Sequence, residues 1–252
     1  MSVAPKKKFG QHFLVDKNIL DVIDRLAGLD PADVVLEIGP GLGILTRYLS
    51  KRVATVHAIE IDKSLAPHLQ EIERLQLHWG DAVAMDLATL DPTPNKLVAN
   101  LPYNVATPIV AESLSFEALQ SWCVMVQKEV AERFFAWPST KAYGSVSVLV
   151  QLTAERTGYH PVSREVFRPP PNVESALVAF QRIGPGPSKQ LKKVVEGAFS
   201  HRRKTLANSL SLSGIVSREK AADVLDALGL GAGVRAEELK PADFVQLAAA
   251  LA

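Results

Sequence analysis

Short apolar runs rich in β-branched residues alternate with segments of helical spacing through the first part of this chain. The runs cover residues 34–38, 54–59, 75–79, 97–99 and 122–126. The helical segments between them include 44–49 and 65–72. Apolar strands separated by helices are typical of a parallel sheet that is covered on both faces. The pattern therefore predicts an α/β fold with a doubly wound sheet, whose ligands bind at the carboxyl ends of the strands.

The character of the sequence changes near residue 183. Residues 183–188 form a linker rich in Gly and Pro, and Leu- and Ala-rich helical patterns follow it to Ala252. We therefore expect two domains, residues 1–183 with the sheet and residues 184–252 as a small helical domain. The run at 175–180 predicts the last strand of the sheet, whereas 143–159 fits either a helix or a strand.

Composition narrows the classes of function. The chain has 252 residues and a net charge of +1, which argues against an indiscriminate polyanion binder. Its one cysteine, Cys123, can form neither an internal disulfide nor a Cys-based zinc site, so we expect a reduced, cytoplasmic protein without a metal. The apolar runs are far shorter than the roughly 20 residues that cross a bilayer, and no secretion signal is visible, so no membrane partner is expected.

A glycine-rich segment follows the first predicted strand, and a helix begins near Ile44 directly after it. Gly39 and Gly41 in this segment let the backbone turn sharply and let a ligand approach main-chain amides. The dinucleotide fingerprint G-x-G-x-x-G is not matched, because Ile44 stands where its last glycine belongs. A nicotinamide cofactor is therefore disfavoured, while a purely structural turn remains an alternative.

Carboxylates follow the next two strands. Glu60 lies 21 residues after Gly39, at a strand end where a carboxylate can accept hydrogen bonds from both hydroxyls of a ribose. Asp81 ends the third strand and can accept from an adenine amino group, while the amide of Ala82 donates to a ring nitrogen. Each acid alone could be a helix cap or a solvated side chain. Together with the glycine segment they favour S-adenosylmethionine, which carries a ribose and an adenine but no pyrophosphate.

The fourth strand ends in Asn100-Leu101-Pro102-Tyr103. An adenine amine is a poor nucleophile because its lone pair is conjugated into the ring. If the Asn100 side-chain oxygen and the Leu101 carbonyl each accept one N–H bond, the lone pair becomes available for a methyl group. Pro102 stiffens the turn, and Tyr103 offers a face on which an extruded base can stack. The tetrapeptide predicts methylation of an amino group, although a simple strand-ending turn would also explain it.

Taken in order, the chain's motifs resemble those of the ribosomal RNA adenine N6-dimethyltransferase family, and specifically its small-subunit branch. The segments that carry the resemblance are 9–14 (FGQHFL), 37–43 (EIGPGLG), Glu60, 80–82 (GDA), 100–108 (NLPYNVATP), 167–175 (FRPPPNVES) and 199–210 (FSHRRKTLANSL). They span most of the chain, and as a set they are far more specific than any one of them.

The resemblance implies a Rossmann-like class I methyltransferase sheet, S-adenosylmethionine as cofactor, and dimethylation of two adjacent adenosines. Their place would be a hairpin loop near the 3′ end of small-subunit (16S) rRNA, on the assembling subunit. The cofactor residues that it implies are His12 and Leu14 at the methionine end, Gly39 and Gly41 beneath it, Glu60 at the ribose, Asp81 and Ala82 at the adenine, and Asn100 between cofactor and target. Phe167 is our candidate for a second stacking face, with a buried core phenylalanine as the alternative.

Basic residues cluster on either side of the linker. Seven Lys and Arg residues and one acid, Glu196, lie between Arg182 and Lys204. This cluster predicts a phosphate-binding patch for rRNA that includes Arg202, Arg203 and Lys204. A second contact is expected from Lys6, Lys7 and Lys8. A solvated helix face is the alternative explanation for the charge.

Two other functions stay open at this point. The large-subunit branch of the superfamily methylates a 23S-type adenosine and confers macrolide resistance, but segments 104–108 and 167–175 fit the small-subunit branch better. A ribosome assembly factor without catalytic activity is the second alternative, and the intact segment 100–103 argues against it. Nothing in the sequence indicates an obligate dimer, so we expect a monomer.

Overall fold

The computed structural model describes Lys6 and residues 11–252, and the chain divides into two units. The first unit comprises the chain up to Ala131 together with Glu155–Arg182, and the second comprises Glu132–Ala154 and Ile183–Ala252. The division after Arg182 falls at the linker that predicts domains 1–183 and 184–252. The second unit differs from that prediction because it also takes in Glu132–Ala154, whose helix packs against C-terminal helices.

The helices and strands have the following bounds in chain order: β1 (Phe13–Leu14), α1 (Asn18–Ala27), β2 (Val34–Ile38), α2 (Ile44–Leu49), β3 (Thr55–Glu60), α3 (Ala66–Leu69), β4 (Leu75–Trp79), β5 (Lys96–Asn100), α4 (Ala106–Ser113), β6 (Ser121–Gln127), α5 (Lys128–Phe134), α6 (Ser145–Thr153), β7 (Ala154–Val162), β8 (Phe167–Arg168), β9 (Ser175–Arg182), α7 (Lys189–Phe199), α8 (Leu206–Leu212), α9 (Arg218–Ala227) and α10 (Pro241–Ala250). The ambiguous segment 143–159 is thus helix α6 followed by strand β7. The expected helix at 65–72 is a 3-10 turn, Lys63–Leu65, followed by the short α3.

A seven-stranded sheet forms the centre of the first unit, with the strand order β4-β3-β2-β5-β6-β9-β7. The five strands from β4 to β6 are parallel, and β9 runs antiparallel to β6. A separate pair joins β1 to β8. The predicted doubly wound α/β sheet is confirmed. Because β2, β3, β4 and β5 are parallel, their carboxyl ends lie along one edge.

The central strands β2, β3, β5 and β6 are buried on both faces, as the unbroken apolar runs predict. Val35 and Leu36 of β2 and Val56 of β3 are fully buried, and α1 covers one face with Ile19, Leu20 and Ile23. Helix α1 ends at Gly28, which adopts the left-handed conformation that favours glycine. The core therefore holds the strands rigidly and leaves their carboxyl ends to carry polar groups.

The second unit is mainly helical. Helices α6, α7 and α10 pack against one another, and α8 packs against α7 and α9. Ser188 and Ser217 cap α7 and α9 by accepting hydrogen bonds from backbone amides of the first turn. The predicted C-terminal helices are confirmed. Among the described residues, no helix is long and apolar enough to span a membrane.

Asp33 fastens the start of β2 to the start of β5. Its carboxylate lies 2.8 Å from the Lys96 ammonium and accepts a hydrogen bond of 2.8 Å from the Asn95 amide. Burial alone would raise the pKa of Asp33, but the bonds from Lys96 and Asn95 outweigh it and hold the pKa below its ordinary value. The charged carboxylate is therefore stabilised in the folded chain.

We expect Asp33→Ala to lower the free energy of unfolding by about 3 kcal/mol, because it leaves the largely buried Lys96 ammonium without a counter-ion and with only the Ala27 and Gly28 carbonyls as partners. Urea denaturation measures the change, and Glu73→Ala, at an exposed acid, serves as the control with a change below about 0.5 kcal/mol. The Asp33 contribution is fully present above its unfolded pKa of about 4 and is lost as pH falls through the lower folded pKa. Equal unfolding free energies for the two variants at pH 7 would contradict this role.

Candidate active site

One cavity opens at the edge of the sheet where β2, β3, β4 and β5 end. It contains about 1100 Å³ of empty space, part of which is open to solvent. The structure brings the following predicted site residues to its wall: His12, Leu14, Gly39, Gly41, Glu60, Asp81, Ala82, Asn100, Leu101, Pro102 and Tyr103. The cavity thus collects residues that lie up to 91 positions apart in the sequence, and all of them belong to the first unit.

The glycine segment approaches its neighbours too closely for larger residues. Gly39 has φ +73°, and a Cβ there would lie 3.2 Å from the Pro102 ring. Gly41 has φ +57°, and a Cβ there would lie 3.1 Å from the Phe13 ring. Both positions need glycine for their backbone conformation and for space. The segment therefore forms a thin wall on which a ligand can meet the backbone.

Two buried carboxyl groups lie side by side at this wall. Glu60 accepts hydrogen bonds from the amides of Gly41 and Asp62, at 3.3 and 2.9 Å. Glu37 is 2% exposed, and its Oε2 has no hydrogen-bond partner among the described residues. Burial raises the pKa of Glu37 to about 8, with a further contribution from the Glu60 charge. Burial thus favours the neutral form of Glu37, and its Oε2 is a polar atom that a ligand in the cavity can meet.

Sequence reasoning missed Glu37 as a site residue. The available signal was an acid at the fourth position of an otherwise apolar, buried strand, VVLEI. A buried carboxyl group in such a strand needs a partner, and at a strand end that partner can be a ligand.

The third strand end lies nearer to solvent. Asp81 is exposed, and its Oδ1 accepts a hydrogen bond of 3.0 Å from the Val83 amide. The second carboxylate oxygen of Asp81 is available for a ligand at the cavity mouth, beside Ala82. This arrangement suits a planar ring with an amino group, as the sequence predicts.

Lys6 is engaged beside the cavity. Its ammonium group lies 2.7 Å from Asp62 and 2.8 Å from the Ser64 hydroxyl. Burial raises the pKa of Asp62, but the hydrogen bonds from Lys6, Ser64 and Gln11 hold it well below its usual range. This ion pair orients the Lys6 ammonium group, and an RNA contact through Lys6 stays a prediction. Lys7 and Lys8 lie outside the described residues.

Asn100 presents an acceptor to the cavity. Its Nδ2 donates to the His12 carbonyl at 3.4 Å, and among the residues that the structure describes its buried Oδ1 has no partner. The Leu101 amide donates to the Met125 carbonyl at 3.0 Å, which holds the turn against β6. A buried amide oxygen left unpaired is costly, so its presence at a cavity wall points to a donor supplied by a ligand.

Tyr103 is held from two sides. Its hydroxyl shares a hydrogen bond with Ser175 at the start of β9, and its ring stacks on the His12 ring with 5.5 Å between centroids. The Nδ1 of His12 donates to the Pro169 carbonyl at 2.8 Å, which fixes the imidazole tautomer. Sequence reasoning identified His12 and Tyr103 but not the supporting role of Ser175.

The structure corrects the prediction for Phe167. This residue is fully buried in the cluster that also holds Leu14, Ile23 and Met125, and it is not part of the cavity wall. Its backbone in β8 pairs with Leu14 of β1. The alternative reading, a core phenylalanine, is the correct one, because the ring has no free face for a base.

In the second unit, Arg202, Arg203 and Lys204 are exposed on the loop between α7 and α8. We call these three residues the basic loop. Arg202 donates to the Lys141 carbonyl at 3.3 Å and lies 3.4 Å from the Glu237 carboxylate. Arg182, which the sequence placed in the same basic cluster, belongs to the first unit and donates to the carbonyls of Leu114, Phe116 and Leu119.

Comparison with known proteins adds independent findings. The model of the family described as "Ribosomal RNA adenine dimethylase" matches residues 3–252. A protein of Rubrobacter xylanophilus named ribosomal RNA small subunit methyltransferase A is 45% identical over 250 residues, covering 96% of this chain and 94% of that protein. A protein of the same name from Syntrophotalea carbinolica is 44% identical over 257 residues, covering 98% and 97%.

Solved structures give a similar result. A dimethyladenosine transferase from Plasmodium falciparum superposes with a TM-score of 0.73 at 27% identity, covering 94% of this chain and 96% of that one. The 23S rRNA methyltransferase ErmE superposes with a TM-score of 0.62 at 26% identity, covering 95% and 99%. Both matches extend over nearly the whole chain.

The Tyr103–Ser175 hydrogen bond generates a prediction that a double-mutant cycle tests. Tyr103→Phe or Ser175→Ala alone leaves one partly buried hydroxyl without its partner, whereas the double variant removes both. We expect the double variant to lose about 1 kcal/mol less unfolding free energy than the two single variants lose in sum, as measured by urea denaturation. Tyr48→Phe with Ser175→Ala is the control, since Tyr48 donates to Asp21, and its effects should add. Additivity in both cycles would show that the Tyr103 hydroxyl is not held by Ser175.

Proposed function

The chain belongs to the family of ribosomal RNA adenine dimethylases, and from that premise we propose that it dimethylates small-subunit (16S) rRNA at the N6 atoms of two adjacent adenosines. The adenosines lie in a hairpin loop near the 3′ end, and the reaction takes place during ribosome biogenesis. S-adenosylmethionine is the cofactor. We place the activity in the cytoplasm and assign it to a monomer. The observation that carries the proposal is the unpartnered Asn100 oxygen in a cavity that fits this cofactor.

The cavity fits S-adenosylmethionine at each strand end. Gly39 and Gly41 leave no room for a Cβ and present backbone to the methionine end, near His12 and Leu14. Glu60 would hold the ribose hydroxyls, and Asp81 with the Ala82 amide would hold the adenine. Among the described residues Glu37 Oε2 has no partner, so it adds a buried polar atom on the same wall. When bound there, the cofactor supplies an electrophilic methyl group on a sulfonium.

Asn100 activates the target amine. The Nδ2 of Asn100 is occupied by the His12 carbonyl, so its Oδ1 is the atom that faces a ligand. Oδ1 and the Leu101 carbonyl together accept the two N6 hydrogens, which draws the amine lone pair out of conjugation with the ring. Because these acceptors are fixed before the target arrives, no reorganisation is needed, and no strong base is required.

Tyr103 orients the base that carries this amine. Adenines in a loop unstack at little cost and can enter a cavity, whereas paired bases cannot. The Tyr103 ring lies beside Asn100 in sequence and lines the same cavity, so a base stacked on it has its N6 edge near the acceptors. Contacts with Ser175 and His12 limit the movement of the ring.

The direct test is transfer of radiolabelled methyl groups from S-adenosylmethionine to ribosomal subunits from cells that lack this activity. We expect label in small subunits, recovered as N6,N6-dimethyladenosine, and none in large subunits. Label in large subunits would assign the protein to the 23S-directed branch. Cofactor binding without transfer to either subunit would favour an assembly factor.

Asn100→Ala tests the mechanism. We expect single-turnover methyl transfer to fall by roughly 10²–10³-fold, because one fixed acceptor is lost, while affinity for S-adenosylmethionine is retained in equilibrium dialysis. Asn18→Ala, which removes the same group from an exposed position at the start of α1, is the control and keeps the wild-type rate. A wild-type rate for Asn100→Ala would refute the role of Asn100.

The basic loop generates a prediction about RNA affinity. We expect the double variant Arg202→Glu, Arg203→Glu to bind 16S rRNA more weakly and with a shallower dependence of affinity on salt, because fewer phosphates are neutralised. Filter binding over a range of salt concentrations measures both quantities. Affinity for S-adenosylmethionine should not change, because these side chains belong to the second unit. Unchanged RNA affinity at moderate salt would exclude the loop as a phosphate contact.

A further inference from the structure

Trp137 differs from the other two tryptophans of the chain in its exposure. Its side chain is 77% exposed, whereas Trp122 is 1% exposed and donates its indole N–H to Ser113 at 2.9 Å. Trp79 is intermediate between them. Burial of a tryptophan side chain usually contributes to the stability of the fold, and an exposed indole makes no such contribution. A contact with a ligand is one reason for an indole to lie on the surface.

The backbone around Trp137 is fixed at several points within the second unit. The Trp137 carbonyl accepts from the amide and the hydroxyl of Thr140, at 3.3 and 2.6 Å, which closes a turn. The Ala136 carbonyl accepts from Gln151 at 2.9 Å, and the Ser139 amide donates to the Glu237 carbonyl at 2.7 Å. The indole therefore projects from an ordered turn, so the protein loses little backbone entropy when a ligand contacts it.

Positive charge adjoins the same turn. The Arg202 guanidinium donates to the carbonyl of Lys141, directly after the turn, and Lys141 is itself exposed. Arg203 and Lys204 follow on the basic loop. The nearest acid in these contacts, Glu237, pairs with Arg202 at 3.4 Å and ties the two loops together. The turn that carries the exposed indole is thus joined by a hydrogen bond to the basic loop.

We propose that Trp137 is a stacking platform for an unpaired base of the substrate rRNA, next to phosphates held by the basic loop. The inference rests on the proposed function and extends it from a charge contact to a contact that distinguishes unpaired from paired RNA. Stacking on an indole tolerates any base, because every base has a π face, and it requires that the base be unpaired. Cations beside the ring supply the phosphate contacts that such a strand needs.

The surrounding charge favours RNA over a protein partner. Protein interfaces are depleted in Lys at their centre, whereas surfaces that bind single strands combine aromatic rings with basic side chains. An exposed indole four residues from Lys141, whose carbonyl accepts a hydrogen bond from Arg202 of the basic loop, fits the second description. Binding of a protein partner or of a second copy of this chain at Trp137 would contradict the proposal, and the experiments below test for both.

The experiment measures the affinity of variants for protein-free 16S rRNA from cells that lack the dimethyl groups. We expect Trp137→Ala to weaken binding by roughly 5- to 100-fold, the range for loss of one stacked base. Trp137→Phe should retain most of the affinity, since it keeps an aromatic face. The slope of log affinity against log salt should be unchanged in Trp137→Ala, because no phosphate contact is removed. A fully paired duplex of the same length should bind wild type and Trp137→Ala equally.

Controls separate this inference from the proposed function. Val245→Ala, at another exposed apolar position of the second unit, should bind as wild type does, and thermal denaturation should show equal stability for both variants. Suppose that Trp137→Ala binds rRNA with wild-type affinity while the variant Arg202→Glu, Arg203→Glu binds more weakly. That result would overturn the platform and leave the proposed function intact. Failure of wild type to bind protein-free rRNA would overturn the platform alone, whereas failure to methylate small subunits would overturn the proposed function as well.

Two further outcomes address other partners. If Trp137→Ala weakens binding to whole small subunits but not to protein-free rRNA, the indole meets a ribosomal protein and the proposal is overturned. Sedimentation of the free protein tests the second copy, since a dimer that Trp137→Ala dissociates would also overturn it.

Discussion

The site depends on hydrogen bonds that join each strand-end loop to a neighbouring strand. The Gly39 amide donates to Ile59 of β3, the Gly80 amide to Glu60 of β3, and the Leu101 amide to Met125 of β6, at 2.9 to 3.0 Å. Each bond extends the parallel ladder by one residue beyond a strand. Register within the sheet therefore sets the positions of the loop residues, and the buried core that holds the register also holds the site.

Such rigidity makes unpaired polar atoms possible. The oxygens Asn100 Oδ1 and Glu37 Oε2 are buried at the cavity without partners among the described residues, at a cost of about 1–3 kcal/mol for each such group. A flexible loop would rotate these groups to find partners or water. Here the His12 carbonyl fixes the Asn100 amide, and the sheet fixes Glu37. The fold tolerates the local cost because an acceptor held in place is what activation of an amine requires.

Sequence reasoning reached the parallel sheet and the strand-end residues because both follow from patterns local to each strand. Glu60, Asp81 and Asn100 could be predicted since parallel strands place their carboxyl ends together. The errors concern residues whose role depends on neighbours distant in sequence. Phe167 is buried because β8 pairs with β1, and Arg182 donates to the carbonyls of Leu114, Phe116 and Leu119.

The same limit explains what was missed. Ser175 carries no chemical signature of its own, and only the fold shows that it holds Tyr103, whereas Glu37 stands out as an acid in an apolar strand but needs the fold to show that it lines the cavity. Likewise, Trp137 stands in an unremarkable segment of sequence and becomes notable only through its exposure. A sequence pattern reveals which faces of helices and strands are buried. Contacts between residues distant in sequence decide which of the buried or exposed side chains can take part in a site.

The basic loop shows how a binding surface can be ordered and still available. Arg202 is held by the Lys141 carbonyl and by Glu237, so its guanidinium is oriented before any partner arrives. An ion pair at this level of exposure contributes little to stability, about 0–1 kcal/mol, and salt screens it further. A phosphate can therefore replace the Glu237 carboxylate at small cost, whereas the carbonyl contact keeps the side chain in position. Under the proposed function, weak pairing leaves the basic loop open to phosphates in the second unit, as the Asn100 oxygen is open to an amine in the first.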